Sequence, residues 1–234
     1  MHNSISPLRY SLANQQTYRL ACLLQIDYDS PMSNQTTPSP RRTQEERSLE
    51  TRHNLLEATI DAVNEHGYQQ ASTNKIIERV NVSRGALAHH YPAKIDLLTA
   101  AFQHAHKQII WDIIKLMTEA EKENAAWTDV LDEIWARLFR GRLWNFTLEL
   151  SVAARSDSQL AERLDPTLHS YRADLDSVWS QYFLHDQATA EKKRQLNLTF
   201  CVMRGIALQT VLRDDNEFYD AMMADWKEIL KSMN

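Results

Sequence analysis

From residue 43 onward, apolar residues recur at intervals of three and four, and nowhere do they alternate over a sustained stretch. That is the period of helices packed by one face, not of strands. Thr43-Gln44-Glu45-Glu46 has the layout of a capping box, in which the hydroxyl and the carboxylate satisfy amides at a helix start. Leu49, Leu56, Ile60 and Val63 follow at helical spacing, and Gly67 supplies a left-handed stop, which predicts a helix over about 44–66. Ser72 or Thr73 opens a short helix over about 73–80, with Ile76, Ile77 and Val80 on its apolar face. Asn81-Val82 makes a tight turn, and Ser83 caps a second short helix over about 84–90. Tyr91 precedes Pro92, so that helix stops there, and Pro92 suits the start of the next, over about 93–119. Further helices are expected at about 127–140, 142–156, 167–184, 188–213 and 217–232, with Asp165-Pro166 read as an N-cap and a first-turn proline. No 20–50-residue repeat interrupts this series, and the fold class is all-α.

The first 42 residues lack any such period and contain Pro7, Pro31, Pro38 and Pro40, the composition of a flexible extension. Met32 lies just upstream of the first organised segment, so residues 1–31 are either a true extension or precede the real start; composition leaves both open. The apolar patch Leu20–Ile26 lacks the layout of a secretory signal, and no apolar run approaches the ~18 residues that a membrane helix needs. Cys22 and Cys201 stand far apart, which fits a reducing compartment; a cytoplasmic location and no membrane partner are the expectation.

The net charge of −5 is unevenly distributed. Residues 41–107 hold nine Lys/Arg against eight Asp/Glu, whereas residues 108–234 hold fifteen against twenty-one. The acidic burden therefore sits in the C-terminal part, which divides the chain into an extension over 1–42, a first domain over 43–107 and a second over 108–234.

Two short helices joined by a tight turn, between longer helices, form a helix-turn-helix unit. In such a unit the second helix enters the DNA major groove and presents its N-terminal residues, here Arg84, Gly85 and Ala86. Arg84 can bond guanine bidentately or hold a phosphate, Gly85 removes a side chain where backbone approaches closely, and Lys94 opens a helix whose amides and charge suit phosphate.

The stretch Leu55–Leu98, "LLEATIDAVNEHGYQQASTNKIIERVNVSRGALAHHYPAKIDLL", resembles the DNA-binding domain of the TetR family of bacterial transcriptional regulators. The resemblance rests on Gly67-Tyr68, Thr73, Ile77, Val82–Leu87, His90-Tyr91, Lys94 and Leu98, in order and without gaps. It implies a three-helix helix-turn-helix domain followed by a helical ligand-binding and dimerisation bundle. It also implies that Thr73 and Tyr91 position phosphates, that Arg84, Ala86 and His89 face the groove beside the Ser83 cap, that His90 ends the reading helix and that Lys94 anchors phosphate. Ala88 departs from the family, many members of which carry a backbone-contacting Tyr there.

Other chemistries fit less well. His89 and His90 are sequence neighbours on a helix, about 100° apart, and do not easily share an ion; His104 and His106 suffer the same fault and read as solvated faces. A di-iron bundle needs two Glu-x-x-His pairs, and only Glu50–His53 matches. The expectation is no catalytic residues, no metal and no cofactor. Trp127, Trp135, Phe139, Trp144, Phe146, Trp179 and Phe183 crowd the middle helices. They are either ordinary core or, as the resemblance implies, the lining of a pocket for a small apolar or aromatic ligand, with Asn145, Glu149, His169 and Arg172 as candidate polar groups. Leu196, Phe200, Met203 and Ala207 form one stripe and Phe218, Met222, Trp226, Ile229 and Met233 another. These stripes are either an internal seam or a two-fold interface. The expected function is a dimeric DNA-binding regulator, a repressor of palindromic double-stranded operators that releases them when ligand binds. A ligand-independent regulator or activator is the first alternative, an all-α enzyme or interaction protein the second.

Overall fold

The computed structural model describes residues 43–123, 125–184 and 189–232, without the side chains of Trp127, Phe183 and Leu184. The expectations for residues 1–42, Met32 as a start, Met233 and the Trp127 and Phe183 side chains therefore lie outside the described residues. Among those residues the chain forms helices and no strand. The helices are α1 (Gln44–Gln70), α2 (Thr73–Val80), α3 (Arg84–His90), α4 (Lys94–Glu123), α5 (Trp127–Leu138), α6 (Arg142–Ala154), α7 (Ser158–Trp179), α8 (Ala190–Thr210) and α9 (Asn216–Ser232); a π-helical turn, Ser180–Leu184, follows α7.

They segregate into two compact units. The first holds α1 to α3, α4 up to Ile109, α6 and α7 up to Tyr171. The second holds α4 from Ile110, α5, the end of α7, α8 and α9. Charge and composition placed the boundary at 107/108, but the segment 142–171 packs with the first unit for a reason invisible in the local sequence. Arg142 reaches back to two carboxylates one turn apart on α1, Glu57 at 2.7 Å and Asp61 at 3.0 Å. Seven residues further along both helices, Glu149 accepts the backbone N–H of Tyr68 at 2.8 Å. Because both contacts advance in the same direction, α1 and α6 run parallel.

Helix α1 starts at the capping box: Thr43 Oγ1 accepts from Glu46 N and Glu46 accepts from Thr43 N. Its packing face is Leu55, Ala58, Thr59, Ala62 and Val63, with Ile60 also buried. Leu49 was expected on that face but is 58% exposed, because the first turns of α1 carry no buried residue. Gly67 breaks the helix with φ +75° and ψ 163°, a positive φ without the left-handed ψ.

Tyr68 then joins three neighbours through four contacts. Its N–H goes to Glu149, its hydroxyl donates to Asp157 at 2.6 Å, its carbonyl accepts from Lys94 Nζ at 2.9 Å, and the same ammonium lies 5.2 Å from its ring centre. Asp157 also caps α7 by accepting from Leu160 N at 3.0 Å. That cap starts the helix nine residues earlier than the Asp165-Pro166 pair suggested, and Pro166 lies inside α7. An interior proline costs roughly 3 kcal/mol. Burial of Leu160, Leu164, Thr167 and Tyr171 at helical spacing offsets it.

The second unit is built on the inward faces of α8 and α9. Leu196, Phe200, Met203 and Ala207 are buried on α8, and Tyr219, Met223 and Leu230 on α9. Asp220 accepts from Trp135 Nε1 at 2.9 Å and from Arg140 at 2.7 Å, and Lys227 pairs with Asp132, so α9 is tied to α5 by polar contacts at both ends.

Two outcomes follow from the Gly67–Tyr68 junction. An alanine at Gly67 meets the positive φ and places its Cβ 3.2 Å from Glu149 Oε1. Gly67→Ala should lower the free energy of urea unfolding by about 1–3 kcal/mol; an unchanged midpoint would contradict the strain. Burial first, and the Asp157 carboxylate second, push the Tyr68 phenol from the ordinary 10 up to about 12. The folded state then keeps a proton that the unfolded chain loses. The stability this contributes is complete below pH 10 and is lost as pH rises toward 12. Tyr68→Phe should flatten that alkaline loss in unfolding curves taken across this range.

Candidate nucleic-acid interface

A seven-residue helix such as α3 is too short to be stable alone, so its position is set by its ends and its inward residues. Ser83 accepts from Ala86 N at 3.1 Å at the start, and Tyr91, extended at φ −137° before Pro92, ends it. Leu87 and Tyr91 are buried in the core of the first unit, beside Ile76, Leu97 and Leu98. Helix α2 is held to it by a turn at Asn81, whose φ of 51° and ψ of 43° are left-handed, a conformation asparagine tolerates. Ser72 caps α2, which leaves Thr73 as its first helical residue, partly exposed.

With Leu87 turned inward, the outward face of α3 carries Arg84, Gly85, Ala88 and His89, with Ala86 and His90 half-exposed. Among the described residues no carboxylate pairs with Arg84, whereas Arg79 on α2 is neutralised by Glu65. His90 is held below the usual histidine range, first by burial and then by the charges of His89 and Arg52. At neutral pH it is therefore a neutral hydrogen-bonding ring. The same proximity places Arg52 of α1 beside this face, a basic residue that the motif did not single out because it lies 38 positions before His90.

Two expected phosphate contacts are differently placed. Tyr91 is only 8% exposed, so its ring is a packing residue of the first unit. Lys94 is half-buried, which lowers its pKa, and its ammonium is already engaged by the Tyr68 carbonyl and ring. Asp96 accepts from Ala93 N at 3.1 Å and so occupies one amide at the start of α4. Lys94 thereby pins α4 to the end of α1.

The expected ligand-pocket residues divide between the units. Trp135, Phe139 and Trp179 lie in the second unit, where Phe139 and Trp179 both meet Phe200, at 5.8 and 4.8 Å between ring centres. Phe146 is fully buried in the first unit's core, and Trp144 belongs to that unit too. The proposed polar partners do not join the aromatic cluster. Glu149 is bound to Tyr68, His169 is exposed and bonded to its own helix at Asp165, and Asn145 and Arg172 are exposed. Gln181 Nε2 in the π-helical turn, a residue with no sequence signal, and Trp226 Nε1 on α9, expected only as part of an apolar stripe, are buried polar atoms of the second unit. Neither has a hydrogen-bond partner among the described residues.

The expected interface residues divide as well. Phe200, Met203 and Ala207 are buried within the chain and so are unavailable to a partner, while Phe218 and Met222 are exposed and Trp226 is half-buried. His104 and His106 also depart from the solvated-face reading. His104 is bonded to Glu57 at 2.6 Å, and His106 is buried between Phe102 and Tyr171.

The family model described as "Bacterial regulatory proteins, tetR family" matches residues 55–101, from α1 to the start of α4. The HTH-type transcriptional regulator CymR of Pseudomonas putida is 28% identical over 192 residues, covering 82% of this chain and 94% of that protein. An uncharacterized HTH-type transcriptional regulator of Mycobacterium bovis is 34% identical over 134 residues, 57% of this chain and 68% of that one. Among solved structures, a transcriptional regulator (TerR/AcrR family) from Aquifex aeolicus superposes with a TM-score of 0.55 at 18% identity, over 77% of this chain and 99% of that one. The multidrug binding protein EbrR complexed with imidazole superposes with a TM-score of 0.54 at 18% identity, over 80% and 95%. At such identities the likeness is one of fold.

Proposed function

The chain belongs to the TetR family of bacterial regulatory proteins and is a DNA-binding transcriptional regulator; from that premise we propose that it works as a homodimeric repressor whose two α3 helices read a palindromic operator, released when a small apolar or aromatic molecule binds the second unit. The observation that carries the dimer is the outward face of α8 and α9. Leu198 and Leu208 lie along one side of α8, 52 and 42% exposed, Leu212 follows in the turn just beyond its end at 80%, and Phe218, Met222 and Ile229 lie along one side of α9. A face of large apolar residues at helical spacing on a folded chain marks an association surface. Gly205 lies on the same side of α8 with no atom within 4 Å of the position its Cβ would take. A mid-helix glycine costs about 1 kcal/mol relative to alanine, and no described residue comes close enough to require it there. A partner helix at close approach does.

A dimer is also what the reading surface needs, since one seven-residue helix covers few base pairs and two in register cover a palindrome, about 34–36 Å apart. For ligand release, the support is the cluster of Trp135, Phe139, Trp179 and Phe200 together with the orphaned Gln181 and Trp226 nitrogens of the same unit. EbrR has been crystallised with imidazole and with ethidium. Helix α4 is continuous through Ile110 from one unit into the other. A ligand that binds one conformation of the second unit better therefore shifts the population of the first.

Arg84→Ala should weaken binding to the chain's own upstream DNA by about 1–3 kcal/mol in a gel-shift titration if Arg84 reads a base. An equal loss on all sequences, with a shallower salt dependence, would assign Arg84 to phosphate. Leu208→Glu should convert the dimer to monomer in sedimentation velocity and abolish tight binding to the palindrome while leaving the helical content intact. A variant that remains dimeric would place the interface elsewhere.

A further inference from the structure

His53, Glu57 and His104 offer one ligand atom each within 4.8 Å of one another, and we infer that they form a three-ligand site for zinc or a similar first-row divalent cation. His53 and Glu57 are four residues apart on α1, one turn, so they share a face of that helix. His104 comes from α4, 47 residues beyond Glu57, and its Nε2 lies 2.6 Å from Glu57 Oε1. The rings of His53 and His104 meet edge to face at 5.3 Å. All three residues belong to the first unit.

The donor set is that of a zinc centre with an open fourth position, two imidazoles and a carboxylate. Ligand atoms about 2.0–2.2 Å from a tetrahedral ion stand roughly 3.3 Å apart. The His104–Glu57 pair is closer than that and the outer limit of the group is wider, so small side-chain rotations bring the three into range. His53 is exposed and forms no hydrogen bond with the other described residues, so its nitrogens are available. Glu57 is oriented from behind: Gln108 donates to Oε1 at 3.0 Å and Arg142 donates to Oε2 at 2.7 Å. Such outer partners fix a ligating group in place. The Arg142 guanidinium repels a second cation. That favours a metal that bonds strongly to imidazole over calcium or magnesium, which take oxygen ligands. Without the metal the same groups make a His104–Glu57 contact; with it, α1 and α4 are clamped together.

The test uses the untagged full chain, stripped with a chelator and titrated with Zn2+ in competition with a chromophoric chelator. One equivalent should bind, and thermal unfolding should shift upward with Zn2+ concentration. His53→Ala, exposed and remote from the core, should fold normally and bind Zn2+ more than about 100-fold more weakly, since a lost ligand costs more than the 10–100-fold of a lost supporting partner. His89→Ala and His90→Ala should bind as the wild type does. Co2+ in place of Zn2+ should give the intense visible bands of a tetrahedral centre in the wild type and lose them in His53→Ala. Equal binding by wild type and His53→Ala, loss of binding in the His89 or His90 variants, or a weak octahedral Co2+ spectrum would each overturn the site.

Discussion

Everything in the DNA-binding unit is referred to one residue, Tyr68, and to the glycine before it that lets it point where it does. A helix as long as α1 has no reason to stop on one core; it must be broken, and Gly67 breaks it with a positive φ. The break exposes a peptide N–H and carbonyl that an unbroken helix would have used internally. Glu149 takes the N–H and Lys94 takes the carbonyl, so α6 and α4 are both fastened to the end of α1. The phenol then reaches Asp157, which caps α7 in the same stroke. One residue therefore fixes three helix starts or faces by satisfying groups that would otherwise be orphaned.

The short reading helix depends on this frame rather than on its own propensity. Helices α2 and α3 together bury few side chains, chiefly Ile76 and Leu87. They are held between the end of α1 and the start of α4, and both of those are fixed at Tyr68. This is why Lys94 is more valuable turned inward than free. An exposed lysine on phosphate adds one charge contact, whereas a half-buried one that holds α4 against α1 sets the angle at which every residue of α3 is presented. Arg84 and His89 can then stay at the surface without paired carboxylates, because the stability of the helix that carries them is supplied elsewhere.

What was legible in the sequence was local. The Thr43 capping box, the Ser72 and Ser83 caps, the Asn81 turn and the Tyr91-Pro92 end all act within four residues, and each stands in the structure as an element boundary, while the Gly67 stop stands as a break inside α1, three residues before its end at Gln70. With the matched residues 55–101 they made the helix-turn-helix readable. What was hidden is long-range. Arg142 meets Glu57 across 85 positions and Tyr68 meets Asp157 across 89, and neither pairing has a signature in its own neighbourhood. These pairings group 142–171 with the first unit and start α7 at Ser158, neither of which the local sequence predicts. His104 looked like one of two solvated histidines because its partners, Glu57 and His53, lie on another helix.

The stripes on α8 and α9 show a different limit. Both helices are apolar on two sides, and a stripe read by spacing alone cannot say which side faces inward. On α8 the stripe chosen from the sequence, Leu196 to Ala207, is the one the chain buries for itself. On α9 the chosen stripe, Phe218, Met222 and Ile229, is the exposed one, one residue out of phase with the buried Tyr219, Met223 and Leu230. A helix that needs only one apolar face to dock on its own core gains nothing from a second in water, and exposed leucines invite non-specific association. The second face is the one that the proposed dimer would cover. The bare Gly205 on that face makes the same point from the backbone side. A glycine there weakens the helix in isolation and is useful only where another helix comes close enough to occupy the space its side chain would have filled.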